Sequence, residues 1–219
     1  MSRRLLNSVL LLALIAGAGC RSGQQGAAPE DPFVATAIAP IPVGSLAGSS
    51  ALLMTVGAVL VSDSQAALRD LEPRRTVLLE AANAQLDSAL RRDAREVRWM
   101  GLAEQRRAAR QSPALGLDPD RVATSYIVSP RLAQVPDPLW SQLRSLAALT
   151  GARYAIVPPA VRFTGSPGAV RASYLLAAVD TRTGAVVWRG RLVGSAQASA
   201  EAALAAAAAT AVAPLVPNH

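Results

Sequence analysis

The chain has 219 residues, 51% of them hydrophobic, enough for one domain with a substantial core, and its formal charge of +7 is carried by arginine alone: all 22 basic residues are Arg. Cys20 is the only cysteine and the terminal His219 the only histidine. An intramolecular disulfide, a cysteine-based metal site, histidine-dependent serine or cysteine hydrolysis and most zinc chemistry are thereby excluded, and no cofactor is expected.

Met1-Ser2-Arg3-Arg4 precedes a run from Leu5 to Ile15 that is apolar except for Asn7 and Ser8, followed by small residues up to Cys20. These are the three parts of a secretory signal, and the apolar core falls well short of the roughly 20 residues a spanning helix needs. Residues 1–19 are therefore expected to be removed as a signal peptide. The two arginines also occur in twin-arginine signals, but any export signal needs basic residues there. The junction Leu14-Ile15-Ala16-Gly17-Ala18-Gly19-Cys20 resembles a lipobox: Ala18 and Gly19 match, while Gly17 stands where that pattern prefers leucine. The resemblance implies lipidation of Cys20 and a membrane-anchored protein of the bacterial cell envelope, facing the periplasm from the outer membrane. The competing reading is an ordinary signal peptide with an incidental cysteine. A sole cysteine at the one place where a lipidated cysteine belongs favours the anchor. Cleavage takes Arg3 and Arg4 away and leaves 20 arginines against 15 acids. Such a surface is either plain solubility or an attraction to anionic lipid headgroups and envelope polymers; export sets it apart from nucleic acid.

Residues 20–32 are small, polar and aperiodic and read as a lipid-anchored flexible tether. A single domain is expected over 33–213, with 214–219 as a tail. Phe33 to Val43 reads as a first strand and 44–50 as a loop. Ala51 to Val61 is apolar apart from Thr55 and is expected to form one buried strand, with a buried helix as the alternative. From Pro73 the period becomes helical, with Leu79, Ala82, Leu86, Ala89 and Leu90 on one face. Val97 to Met100 is a short strand, and Gly101 to Gln111 a polar helix closed by Pro113. Arg91, Arg92, Arg95, Arg98, Arg106, Arg107 and Arg110 make this the densest positive region, and Arg95, Arg98, Arg106 and Arg107 are the candidate binding face, weighed against a merely solvated surface. Asp137 can cap a helix whose first turn suits Pro138, whose apolar stripe is Leu139, Leu143, Leu146 and Ala147, and whose left-handed stop is Gly151. Strands follow over Arg153 to Phe163, Val170 to Asp180 and Ala185 to Val193, the last two joined by a turn in which Gly184 takes a positive φ. An alanine-rich helix from Ala198 to Val212 closes the domain before Pro214 and Pro217.

The order of the second half, with Thr150-Gly151-Ala152-Arg153-Tyr154 entering a strand and Asp180-Thr181-Arg182-Thr183-Gly184-Ala185-Val186-Val187-Trp188 forming a hairpin, resembles the α/β domain shared by the amino-terminal part of TolB, the curli-secretion lipoprotein and the lipoprotein activators of penicillin-binding proteins. The likeness spans residues 137–213. It implies an α/β (α+β) fold, a mixed sheet with a C-terminal β-hairpin and flanking helices. In such a domain Asp180, Thr183 and Gly184 shape a turn, and Trp188 packs on the sheet. Members of the group bind other envelope proteins or build assemblies, and none of the matching positions is catalytic. No pair of long alternating membrane-inserting strands is present, so a pore is not implied.

The resulting expectation is a non-enzymatic envelope lipoprotein whose domain binds or organises another envelope component, an envelope protein in particular. Two rivals remain: a purely structural lipoprotein, and a carboxylate-dependent hydrolase, for which Asp63, Asp70, Glu72, Glu80 and Asp87 are the available acids.

Overall fold

Near-continuous apolar runs such as Tyr154–Val161 and Tyr174–Val179 are too short for spanning helices and rich in residues that favour strands, and they become the centre of a sheet buried on both faces. The computed structural model describes residues 46–61, 66–129 and 131–216. The signal peptide expected over 1–19, Cys20, the tether expected over 20–32, the strand expected over 33–43, Asp63 and residues 217–219 lie outside them.

Among the described residues there are six strands: β1 (Ser50–Leu53), β2 (Val59–Val61), β3 (Arg98–Met100), β4 (Tyr154–Ser166), β5 (Ala169–Asp180) and β6 (Val186–Val193). They form one mixed sheet in the order β3-β1-β4-β5-β6, with β2 also paired to β4. β1 pairs in parallel with β3 and β4, whereas β4-β5-β6 is an antiparallel meander. Five helices accompany them: α1 (Arg75–Asp93), α2 (Leu102–Gln111), α3 (Leu139–Thr150), α4 (Ala200–Ala208) and α5 (Val212–Leu215). The architecture is the α/β single domain with a mixed sheet, C-terminal hairpin and flanking helices that the sequence implied.

One face of the sheet, carrying Ile156, Phe163, Tyr174, Leu176 and Leu192, packs against α1 and α4. The other, carrying Leu52, Ala155, Val157, Ala177 and Val179, packs against α3 through Leu139, Leu143 and Leu146. Tyr174 is fully buried on the first face and donates its hydroxyl to Ala82 O of α1 at 3.1 Å. Trp188 lies on the same face, its ring so close over Gly190 that a Cβ there would stand 2.3 Å from it. The α4 helix approaches the end of β6 until a Cβ on Gly194 would lie 2.6 Å from Ala207 N, which small side chains on both elements allow.

Three local expectations change. Ala51 to Val61 is two short strands instead of one, because Pro158 and Pro159 remove two successive N–H donors from β4, the strand beside it. The same prolines shift the register of β4 against β5 between Val157 and Ala160. On α1 the buried stripe is Leu78, Ala82, Leu86, Ala89 and Leu90, with Leu79 only half-buried beside it. At the C-terminus the chain stays folded past Ala213: Pro214 and Leu215 are buried, and Leu215 O accepts from Leu46 N at 3.2 Å.

The helix stop and the hairpin turn are as read, but Pro138 instead of Asp137 holds the cap position of α3, and no side chain caps it there. Asp137 Oδ1 accepts from the N–H and hydroxyl of Ser141 at 3.1 and 2.6 Å, although α3 itself starts at Leu139. Gly151 ends α3 with φ 69°, and Gly184 turns the hairpin with φ 74°, donating to Asp180 O at 2.8 Å.

Candidate functional site

Parallel pairing puts the starts of β1, β3 and β4 at one end of the sheet, and antiparallel pairing brings the end of β5 and the β5–β6 turn to the same end. Arg98 N bonds Ser49 O, Arg153 N bonds Ser50 O and Thr181 N bonds Arg153 O, so these segments stand side by side in strand order. Arginines from five places in the sequence gather here: Arg91 and Arg95 after the end of α1 or within its last turn, Arg98 on β3, Arg144 on α3, Arg153 before β4 and Arg182 in the turn.

They line two adjoining hollows. One, of about 430 Å³, is walled by Arg144, Ala148, Gly151, Arg153, Thr181 and Arg182. The other, of about 670 Å³, is walled by Gly48, Ser49, Ser50, Arg91, Arg95, Glu96, Arg98 and Trp99. Arg98 stands between them: its Nη2 donates to Thr150 O at 3.2 Å and lies 3.8 Å from where a Cβ on Gly151 would be.

The charges are unevenly compensated. Arg91 is held by Asp87 at 2.8 Å and Glu104 at 3.2 Å; the hydrogen bond to Asp87 raises its pKa further above the usual arginine value. Arg153 reaches Asp180 at 3.4 Å and stacks over Tyr154, 5.2 Å from the ring centre. Arg144 lies 5.9 Å from the ring centre of Trp140, and Arg95 donates to the Arg92 carbonyl at 2.9 Å. Among the described residues, Arg95, Arg98, Arg144 and Arg182 have no carboxylate at ion-pair distance, and all four are exposed. The arrangement is suited to holding anions that accept several guanidinium hydrogen bonds at once.

The four arginines singled out from sequence are divided by the fold. Arg95 and Arg98 belong to this end of the sheet. Arg106 and Arg107 are exposed on α2, and Arg106 is committed to Asp120 through a bidentate contact that includes Nε at 3.0 and 3.1 Å. That hydrogen bond holds the Asp120 carboxyl below the usual carboxylate range, so the pair stays ionised and mutually neutralised near neutral pH. Sequence proximity missed Arg144 in the middle of α3, Arg153 at the start of its predicted strand and Arg182 in the hairpin turn, positions that share no local signal.

The acids weighed for hydrolysis are dispersed. Glu72 is bound to Arg75 at 2.7 Å and Asp87 to Arg91, while Asp70 and Glu80 are exposed. Among the described residues no group of three or more His, Cys, Asp or Glu is placed to hold a metal ion, and no helix is long and apolar enough to cross a membrane. Arg189, by contrast, is a structural tie. It donates to Ile127 O and Leu132 O at 2.8 Å, and its burial lowers its pKa from the ordinary value.

The fold and the basic sheet end together define a single α/β domain with an anion-attracting surface. No protein-family model matches the chain, and no curated protein matches it. Solved structures with a likeness include the LpoB C-terminal domain from Salmonella enterica, 19% identical over 68% of this chain and 84% of that one with a TM-score of 0.37. Another is the PelC dodecamer from Paraburkholderia phytofirmans, 12% identical over 82% and 95% with a TM-score of 0.38. A third is the lipoprotein GNA1162 from Neisseria meningitidis, 14% identical over 67% and 80% with a TM-score of 0.31. They are distant and partial matches of the α/β kind implied by residues 137–213. At this identity and TM-score the fold assignment stands on the sheet topology itself.

Proposed function

We propose that the protein is an exported lipoprotein, anchored by a lipid on Cys20 in the cell envelope, whose α/β domain is non-catalytic and binds or organises an envelope protein beside the membrane. The observation that carries this reading is the arrangement around Cys20: a basic start, an apolar core, small residues and then the sole cysteine of the chain. The 12 residues from Arg21 to Pro32, if extended, reach on the order of 40 Å, room for the domain to meet a neighbour. Exposed Arg107 and Arg110 on α2 offer that neighbour a polar face apart from the hollows. With a single terminal histidine and no second cysteine, the chain lacks the groups on which most hydrolases rely.

Two measurements test the reading. Growth with a labelled fatty acid should mark the wild-type protein and leave Cys20→Ala unmarked; equal labelling of both would remove the anchor. The lipid-free chain from Arg21 onward, used to capture partners from envelope extract, should retain one defined envelope protein, less of it with Arg107→Gln and Arg110→Gln. Capture of nothing, together with turnover of a glycan or ester substrate, would replace the adaptor by a hydrolase.

A further inference from the structure

The described residues begin at the arginine-lined end of the sheet. Leu46 is bonded to Leu215, Gly48 N donates to Glu96 O at 2.8 Å, and β1 begins at Ser50. Gly48, Ser49 and Ser50 are themselves wall residues of the hollow that holds Arg95 and Arg98. The chain coming from Cys20 therefore joins the described residues beside their least compensated arginines, with residues 21–45 between the two points.

The shape of the charge decides what it meets. Arg95 precedes β3 and Arg98 opens it, Arg153 precedes β4 and Arg182 follows β5, so the row crosses three strand spacings, roughly 14 Å at about 4.8 Å each. Donors converging on one small anion would be packed around a point. A row of this width instead matches a plane of separate anions, and guanidinium groups pair with phosphate oxygens in bidentate fashion. The carboxylates nearby do not cancel it: Asp87 and Glu104 are taken up by Arg91, Asp93 by Arg92, and Asp180 by Arg153 and the Arg182 N–H at 2.9 Å, leaving Glu96.

We propose that this end of the sheet docks on the anionic phospholipid headgroups of the membrane that anchors Cys20, so that the domain is held in one orientation and Arg107 and Arg110 of α2, which line neither hollow, are left for a protein partner. The inference rests on the anchorage proposed above and goes beyond it by naming a second membrane contact. Each basic residue at an anionic surface strengthens binding about fivefold. Sedimentation with vesicles tests it, using the lipid-free chain from Arg21 onward, vesicles of phosphatidylcholine alone or with one third phosphatidylglycerol, and 0.05 M against 0.5 M salt.

Binding is expected to the phosphatidylglycerol vesicles at low salt, weakened at high salt, and at least tenfold weaker for Arg95→Gln with Arg98→Gln. The pair Arg144→Gln with Arg182→Gln should weaken it similarly; neither of those side chains bonds the backbone, so a loss there is not a loss of fold. Arg107→Gln with Arg110→Gln should bind as the wild type does. Equal binding to both vesicle types, equal loss in all three variants, or displacement by millimolar inorganic phosphate at fixed ionic strength would each overturn the proposal, the last assigning the hollows to a free anion. Fatty-acid labelling of Cys20 reads the anchorage alone: label without phosphatidylglycerol preference overturns the headgroup contact and leaves the anchor standing.

Discussion

At Pro158 and Pro159 the central strand loses two hydrogen-bond donors, and three polar side chains serve the backbone left open beside it. Asn83 Oδ1 accepts from Val56 N at 2.7 Å, Thr124 Oγ1 donates to Thr55 O at 2.9 Å, and Gln105 Nε2 donates to Leu53 O at 2.9 Å and Met100 O at 2.8 Å. Gly57 must remain glycine there, since a Cβ would lie 2.7 Å from Pro159 O and from Ser125 N. Asn83→Ala strands the N–H of buried Val56 and is expected to cost about 1–3 kcal/mol in urea unfolding. Gly184→Val forces a β-branched residue to φ 74° with its Cβ 3.1 Å from the Trp140 ring; a loss of about 1–3 kcal/mol is expected, and an unchanged unfolding midpoint would dismiss the hairpin as drawn. Tyr174 gives a pH signature. Burial raises its pKa above the ordinary tyrosine value near 10, so its contribution is intact below the unfolded value and is lost as pH rises above it. Between pH 9.5 and 11.5 the wild type should lose stability more steeply than Tyr174→Phe, read from urea midpoints at each pH.

The elements show the same dependence on fit. On α1, Leu78 and Leu79 are both leucines one position apart, and helical periodicity alone accommodates either in the stripe. Contact with α4 and the sheet selects Leu78, leaving Leu79 at the margin. The alanines of α4 serve proximity more than propensity: Ala203, Ala207 and Ala208 are fully buried, and Ala207 N approaches the backbone of Gly194. Ala207→Leu should therefore destabilise by about 1–3 kcal/mol through overpacking, even though leucine is a good helix former. Measuring helicity alongside the urea midpoint separates the two effects, since a propensity effect would lower helicity and a packing effect would lower only stability. Ser199, which accepts from Ala202 N at 3.2 Å, supplies the cap that lets this run begin after Gln197 pairs with Val170.

For the whole molecule, the arginines at the sheet end repel one another in the folded state, a cost that the surface proposed for headgroup binding carries. Changing Arg95, Arg98, Arg144 and Arg182 together to Gln is expected to leave the melting temperature unchanged or a few degrees higher at low salt, with the difference vanishing at 0.5 M salt as screening sets in. A marked drop would make these side chains part of the scaffold. Local chemistry was legible in the sequence: the stop at Gly151, the turn at Gly184, the strands of the second half and the longer helices, because each depends on residues within a few positions of one another. The proline pair in β4 was a visible signal against one continuous neighbouring strand, since a central strand cannot lose two donors without interrupting its ladder. What only the tertiary structure decided was which charges share a surface. Arg106 was lost to Asp120, and Arg144, Arg153 and Arg182 joined Arg95 and Arg98, because parallel and antiparallel pairing bring segments more than 80 residues apart to one end of the sheet, and strand order is fixed by long-range burial that no local pattern encodes.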